Sequence, residues 1–170
     1  MARHIELNPA SHVTVGTIGE PGQRVFYLQG SKTDHLITLV IEKQQAAALA
    51  DSLIQLLQQL GQSVSVEPHA EGQWTADLRL REPIEVLFRV GQLGLGYSDD
   101  VQRIVILTYE LVEEGIEPNM VSFWITIAQA RILVPRIAAL VKSGRPLCGN
   151  CGLPIDMAGH FCPNRNGHKH

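Results

Sequence analysis

The residues best equipped for chemistry sit together at the C-terminal end, where all three cysteines of the chain fall between positions 148 and 162. Cys148-Gly149-Asn150-Cys151 places two thiolates at a C-x2-C spacing, which lets both sulfurs reach one tetrahedral ion at about 2.3 Å. Gly149 and Gly152 permit the tight backbone turn and leave amide N–H groups to hydrogen-bond the sulfurs. Cys162 adds a third soft ligand from a separate loop. The fourth is a histidine. His160 lies two residues from Cys162, on the same side of an extended strand, and His168 follows Asn166-Gly167, a turn that returns it toward Cys162. Spacing alone leaves His160 and His168 equally open; His170 is too terminal and Asp156 is the weaker donor. The expected occupant is one zinc ion in a structural role. A hydrolytic site requires an open coordination position and a nearby carboxylate base, yet only Asp156 is close and no H-E-x-x-H occurs. An iron–sulfur cluster would need a fourth thiolate.

Other constellations read as structure. Gly91, Gly94 and Gly96 run into Tyr97-Ser98-Asp99-Asp100 and then a strand pattern. A dinucleotide fingerprint must instead open a helix, so a glycine-rich hairpin is expected. Gly16, Gly19 and Gly22 are read in the same way. Adjacent acids such as Asp99-Asp100 in a turn are ordinarily solvated, and Glu110, Glu113, Glu114 and Glu117 form a charged loop. No G-x-S-x-G elbow occurs, and no cysteine lies outside the tail to act as a nucleophile. Trp74 and Trp124 read as packing residues. Glu42-Lys43-Gln44-Gln45, at a strand-to-helix junction, can cap the first helical turn; the alternative is a contact surface shared with Phe88, Arg89 and Gln129.

The elements that must carry these residues follow from hydrophobic period. Alternating or β-branched stretches at His12–Ile18, Arg24–Gln29 and Leu36–Ile41 predict strands, with Glu20-Pro21-Gly22 as a turn. Ala46, Leu49, Ala50, Leu53, Leu56, Leu57 and Leu60 form one helical stripe that Gly61 ends. After a polar connection over 61–76, strand patterns resume at Ile84–Val90, Arg103–Leu111 and Met120–Ile127. A second stripe follows, from Ala130 to Val141, with Pro135 inside it, so this helix is expected to kink or to start nearby. Residues 41–57 lie on 125–141 without a gap, and Val15-Gly16 resembles Val90-Gly91. These matches suggest an internal repeat over 12–61 and 84–143. The expected fold is α+β: two β-β-β-α units forming an antiparallel sheet covered by two helices over residues 1–143, followed by a small zinc ribbon or knuckle over 144–170.

Several of these blocks resemble an uncharacterised bacterial family, domain-of-unknown-function family 3090. They are Arg145-Pro146-x-Cys148-x-x-Cys151, Gly159-His160-x-Cys162 and Asn166-Gly167 in the tail, and Val15–Gly22, Phe26–Gln29, Glu42–Gln45 and Phe88–Gly96 in the body. The blocks occur in order along most of the chain. The resemblance implies His160 as the imidazole ligand and carries no activity with it. Between the glycine-rich strand and the second helix this chain is shorter than the resemblance leads one to expect.

Composition bounds the function. With 45% hydrophobic and 18% charged residues in 170, the chain is globular and long enough for an ordinary core. Its longest apolar runs are too short to cross a bilayer, and Met1–Glu6 holds no apolar signal, so a cytosolic protein without membrane association is expected. The net charge of −3 divides into a +3 tail from Lys142 onward and a −6 body. The combined expectation is a non-catalytic interaction or adaptor protein with a protein partner and a structural zinc. Nucleic-acid binding through the basic tail is the alternative, and an enzyme acting on a phosphorylated small molecule comes after it.

Overall fold

The computed structural model describes residues 2–20, 22–62 and 78–143. Its elements run β1 (His4–Leu7), β2 (His12–Ile18), β3 (Val25–Lys32), β4 (His35–Ile41), α1 (Lys43–Gln59), β5 (Val86–Ser98), β6 (Arg103–Glu110), β7 (Met120–Thr126) and α2 (Ile127–Ser143). The strands form one sheet in the order β1-β7-β6-β5-β4-β3-β2. The fold is therefore α+β, a seven-stranded sheet with two helices.

Local chemistry explains most boundaries. The helical stripe of α1 is buried at Ala46, Leu49, Ala50, Leu53 and Leu57, while Asp51 and Gln58 on the opposite face are exposed. At its end Gly61 takes a positive φ of 75°. There the Gly61 N–H donates to Gln58 O and the Gln62 N–H to Leu57 O, closing the paired bonds of a Schellman cap. Pro135 lies inside α2, which runs on to Ser143. Its missing N–H withholds a partner from the carbonyl one turn back, at Arg131.

Sheet pairing matches expectation in part. The sheet is not wholly antiparallel, since β4 pairs with β5 and β1 with β7 in parallel. The expected glycine-rich hairpin is present as β5-β6, with the glycines at 91, 94 and 96 inside the long strand β5 and the turn at Asp99–Gln102, where Gln102 has a φ of 52°. Strand β1, four residues long, carries too short an alternation to be read from sequence. The register also shifts the match between the halves. Gly16 faces Tyr27, which faces Val40, two residues before the α1 cap; Gly96 faces Val105, which faces Trp124, two residues before Thr126. The geometric counterpart of Gly16 is thus Gly96, not Gly91, whereas Gln45 and Gln129 correspond as the helix alignment requires.

The sheet is strongly rolled. Strands β3 and β7 are four places apart in the ladder, about 19 Å if the sheet were flat. Yet a Cβ placed on Gly30 of β3 would lie 2.6 Å from Cδ1 of Phe123 on β7. Ala10 and Ser11 complete the turn, the first donating its N–H to Trp124 O on β7 and the second to Ser31 O on β3, each at 2.8 Å. One chain segment therefore spans both edges of the rolled sheet. Its concave face presents Val13, Val15, Leu28, Leu39, Ile106 and Phe123, which join the helix stripes, including Leu133, Val134 and Ile137 of α2, in one core cluster.

Two glutamines fasten the helix starts to this roll. Gln45 Oε1 accepts the Glu42 N–H at 2.7 Å while its Nε2 donates to Val90 O at 3.0 Å. Gln129 Oε1 accepts the Thr126 N–H at 2.8 Å, and its Nε2 donates to Ala10 O at 3.1 Å. The Gln129 N–H donates in turn to Thr126 Oγ1, which completes a capping box.

Two outcomes test this account. Gly30→Val drives methyl groups into the Phe123 ring and is expected to cost about 1–3 kcal/mol in urea unfolding. Gln45→Ala and Gln129→Ala should each cost about 1–2 kcal/mol. Because the two glutamines share no partner, the double variant should lose the sum to within about 0.5 kcal/mol.

Candidate functional site

The residues expected to bind zinc, Cys148, Cys151, Cys162 and His160 or His168, lie outside the described residues. Among the described residues no three His, Cys, Asp or Glu side chains come together as a metal-ligand set. Asp99 and Asp100 occupy the turn between β5 and β6, and both are exposed. No described helix is long and apolar enough to cross a membrane.

Glu42, Gln45, Arg89 and Gln129 do assemble, although in two separate corners. In the first, Arg89 Nη1 meets Glu42 Oε1 at 2.6 Å, beside the bond from Gln45 to Val90. Gln129 makes the second corner with Ala10. The two side chains of the ion pair remain 50% and 63% exposed, so water screens it and its worth is about 0–1 kcal/mol. Both glutamines spend their polar atoms on capping and on a backbone carbonyl distant in sequence, Val90 on β5 or Ala10 in the β1–β2 connection. The structural role of this motif is therefore evident.

A less expected arrangement lies on the convex face of the sheet. Alternation turns Thr14, Gln29, Ser31 and Thr38 outward from the core, yet all four are buried. The segment Leu78–Glu82 covers them. Thr14 Oγ1 donates to Leu78 O at 2.6 Å. Gln29 Oε1 accepts the Arg81 N–H at 2.7 Å, while Gln29 Nε2 donates to Arg81 O and to Thr38 Oγ1, each at 2.9 Å. One glutamine thus satisfies both backbone groups of Arg81, as a neighbouring strand would. Leu80 occupies the space above Gly16 that any side chain there would fill. Sequence reading gave these residues no role. The available signal was a glutamine and two threonines placed within otherwise apolar strands, at positions that alternation assigns to one face.

The corresponding face of β5-β6-β7 has different chemistry. Gly94 and Gly96 take the places of Thr14 and Gly16, Leu107 that of Gln29, and Trp124 that of Val40. Among the described residues only Val105 stands within 4 Å of a Cβ built on Gly96. Gly94, Gly96, Leu107, Tyr109 and Trp124 are all partly exposed. The indole Nε1–H of Trp124 is nevertheless shielded from water and has no acceptor among the described residues. A shielded donor left unpaired costs about 1–3 kcal/mol, so this face holds an unmet hydrogen bond on β7, across β6 from the two glycines.

Comparison with known proteins adds a family and nothing beyond it. No curated protein and no solved structure gives a significant match. The model of one family, described as protein of unknown function (DUF3090), matches residues 5–162, which takes in all of the sheet but His4, both helices and the cysteine-bearing tail as far as Cys162. The chain belongs to this DUF3090 family.

Proposed function

We propose that the protein is a non-catalytic interaction module that receives an extended segment of a protein partner on the convex face of β5-β6-β7. The observations that carry this reading are the open space over Gly96 on β5 and, across β6 on β7, the Nε1–H of Trp124, which has no acceptor among the described residues. The chain's own segment Leu78–Glu82 illustrates the mode of binding on the corresponding face of β2-β3-β4. It presents a leucine to a glycine and its backbone to polar side chains. A partner strand could do the same with an apolar residue over Gly96 and a backbone carbonyl for Trp124 Nε1, which a turn of the indole would bring to the surface.

The same reading gives the tail an architectural role in the cytosol. Cys148, Cys151, Cys162 and His160, with His168 as the alternative fourth ligand, would hold one zinc ion and fold a segment too short to build a core. The +3 charge of the tail supports nucleic-acid binding as the second reading.

Gly96→Leu fills the proposed leucine site and Trp124→Phe removes the donor. Both are expected to keep the wild-type melting temperature to within a few degrees while losing the proteins captured by the wild type from native lysate. Capture of the same proteins by wild type and both variants would sink the proposal, and a salt-sensitive gel shift would favour the nucleic-acid reading. For the tail, metal analysis should find about one zinc per chain, and Cys151→Ser should abolish it. A protein equally stable without metal would dismiss the zinc. Comparing His160→Ala with His168→Ala identifies the fourth ligand.

A further inference from the structure

A cavity of about 300 Å³ opens where the end of β2, the segment 79–84 and helix α2 meet. Arg79 and Arg136 line it from two different elements, together with one carboxylate, Glu82. Its apolar wall comes from Ile18, Leu80 and Ile84, all branched aliphatic. The volume is at the lower end of the range for small-molecule sites.

Arg136 is held in place at this cavity. Its Nε donates to Val15 O on β2 at 3.2 Å. Burial disfavours its charged form, pulling its pKa below the ordinary arginine value. Arg79 brings a second cation from the exposed side. Leu80, seated over Gly16, fixes the segment that carries both Arg79 and Glu82.

The lining therefore combines two planar cations, one carboxylate and a branched aliphatic wall. We propose that this cavity binds a small carboxylate with a short branched aliphatic body, its oxygens on Arg79 and Arg136 and its alkyl group against Ile18, Leu80 and Ile84. A carboxylate matches the fork of donors that each guanidinium presents. A phosphate dianion would carry twice the charge toward Glu82 in the same small space, and like charges repel. The alkyl part gains by covering an aliphatic wall that water otherwise wets.

Calorimetric titration of the full chain with isovalerate tests this, with isovaleramide as the uncharged isostere and inorganic phosphate as the competing anion. Isovalerate should bind saturably in the millimolar range or tighter, and isovaleramide about ten-fold more weakly or not at all, since losing a charge-assisted hydrogen bond is worth about that factor. Arg79→Gln should weaken isovalerate about ten-fold at an unchanged melting temperature, because Arg79 is exposed. Arg136→Gln should do the same or worse. If Arg136→Gln does not fold, Arg79→Gln decides the matter. The proposal is overturned by absence of saturable isovalerate binding, by equal binding of isovaleramide, by undiminished binding in Arg79→Gln, or by phosphate binding more tightly than isovalerate.

Discussion

A seven-stranded sheet can enclose two helices in a single core only if it rolls around them. The contact of Phe123 with Gly30 is where that rolling is most tightly constrained. Two strands that a flat sheet would keep four places apart are brought within van der Waals contact because one of them carries no side chain at the meeting point. The backbone bonds of Ala10 and Ser11 hold the same closure from the edges. The core follows from it. The concave strand residues and the stripes of α1 and α2 form one apolar cluster, and the convex face remains the surface where the two halves can differ.

The corner glutamines explain how the roll and the helices are kept in register. Each sits in the first turn of its helix, satisfies the backbone N–H of its cap residue, and reaches a distant backbone carbonyl, Val90 on β5 for Gln45 and Ala10 between β1 and β2 for Gln129. A single side chain thereby couples helix initiation to sheet curvature, so local and tertiary requirements agree. Beside these bonds, of which those to Val90 and Ala10 are part-buried, the exposed pair of Arg89 with Glu42 is a minor contribution.

On the convex face the same backbone framework carries opposite solutions. Around β2-β3-β4, polar side chains receive a segment of the chain itself, and each buried hydroxyl or amide finds a partner there. Around β5-β6-β7, glycines, Leu107 and a tryptophan with an unmet donor take the equivalent places. The covering segment Leu78–Glu82 also helps to form the arginine-lined cavity beside α2, so one short stretch contributes to both features.

Much of this was legible in the sequence. The strand at His12–Ile18 has the bounds that alternation indicates, and the α1 stripe ends at Gly61 because only a residue without Cβ readily takes that φ. Gln45 was visible as a capping residue within Glu42–Gln45, whereas Gln129 was read only as part of a contact surface; the C-x2-C spacing makes the expectation of zinc without reference to any fold. What sequence alone could not decide were the features that depend on distant pairing. Parallel contacts between β4 and β5 and between β1 and β7, the passage of β5 through its glycines, and the match of Gly16 with Gly96 are fixed by register, which has no local signature when both candidate strands are apolar. The burial of Thr14, Gln29 and Thr38, and the placing of Arg79 and Arg136 around one cavity, were likewise decided by tertiary structure. Local chemistry sets where strands and helices begin and end; which faces meet is set by how the whole sheet rolls to bury its apolar side.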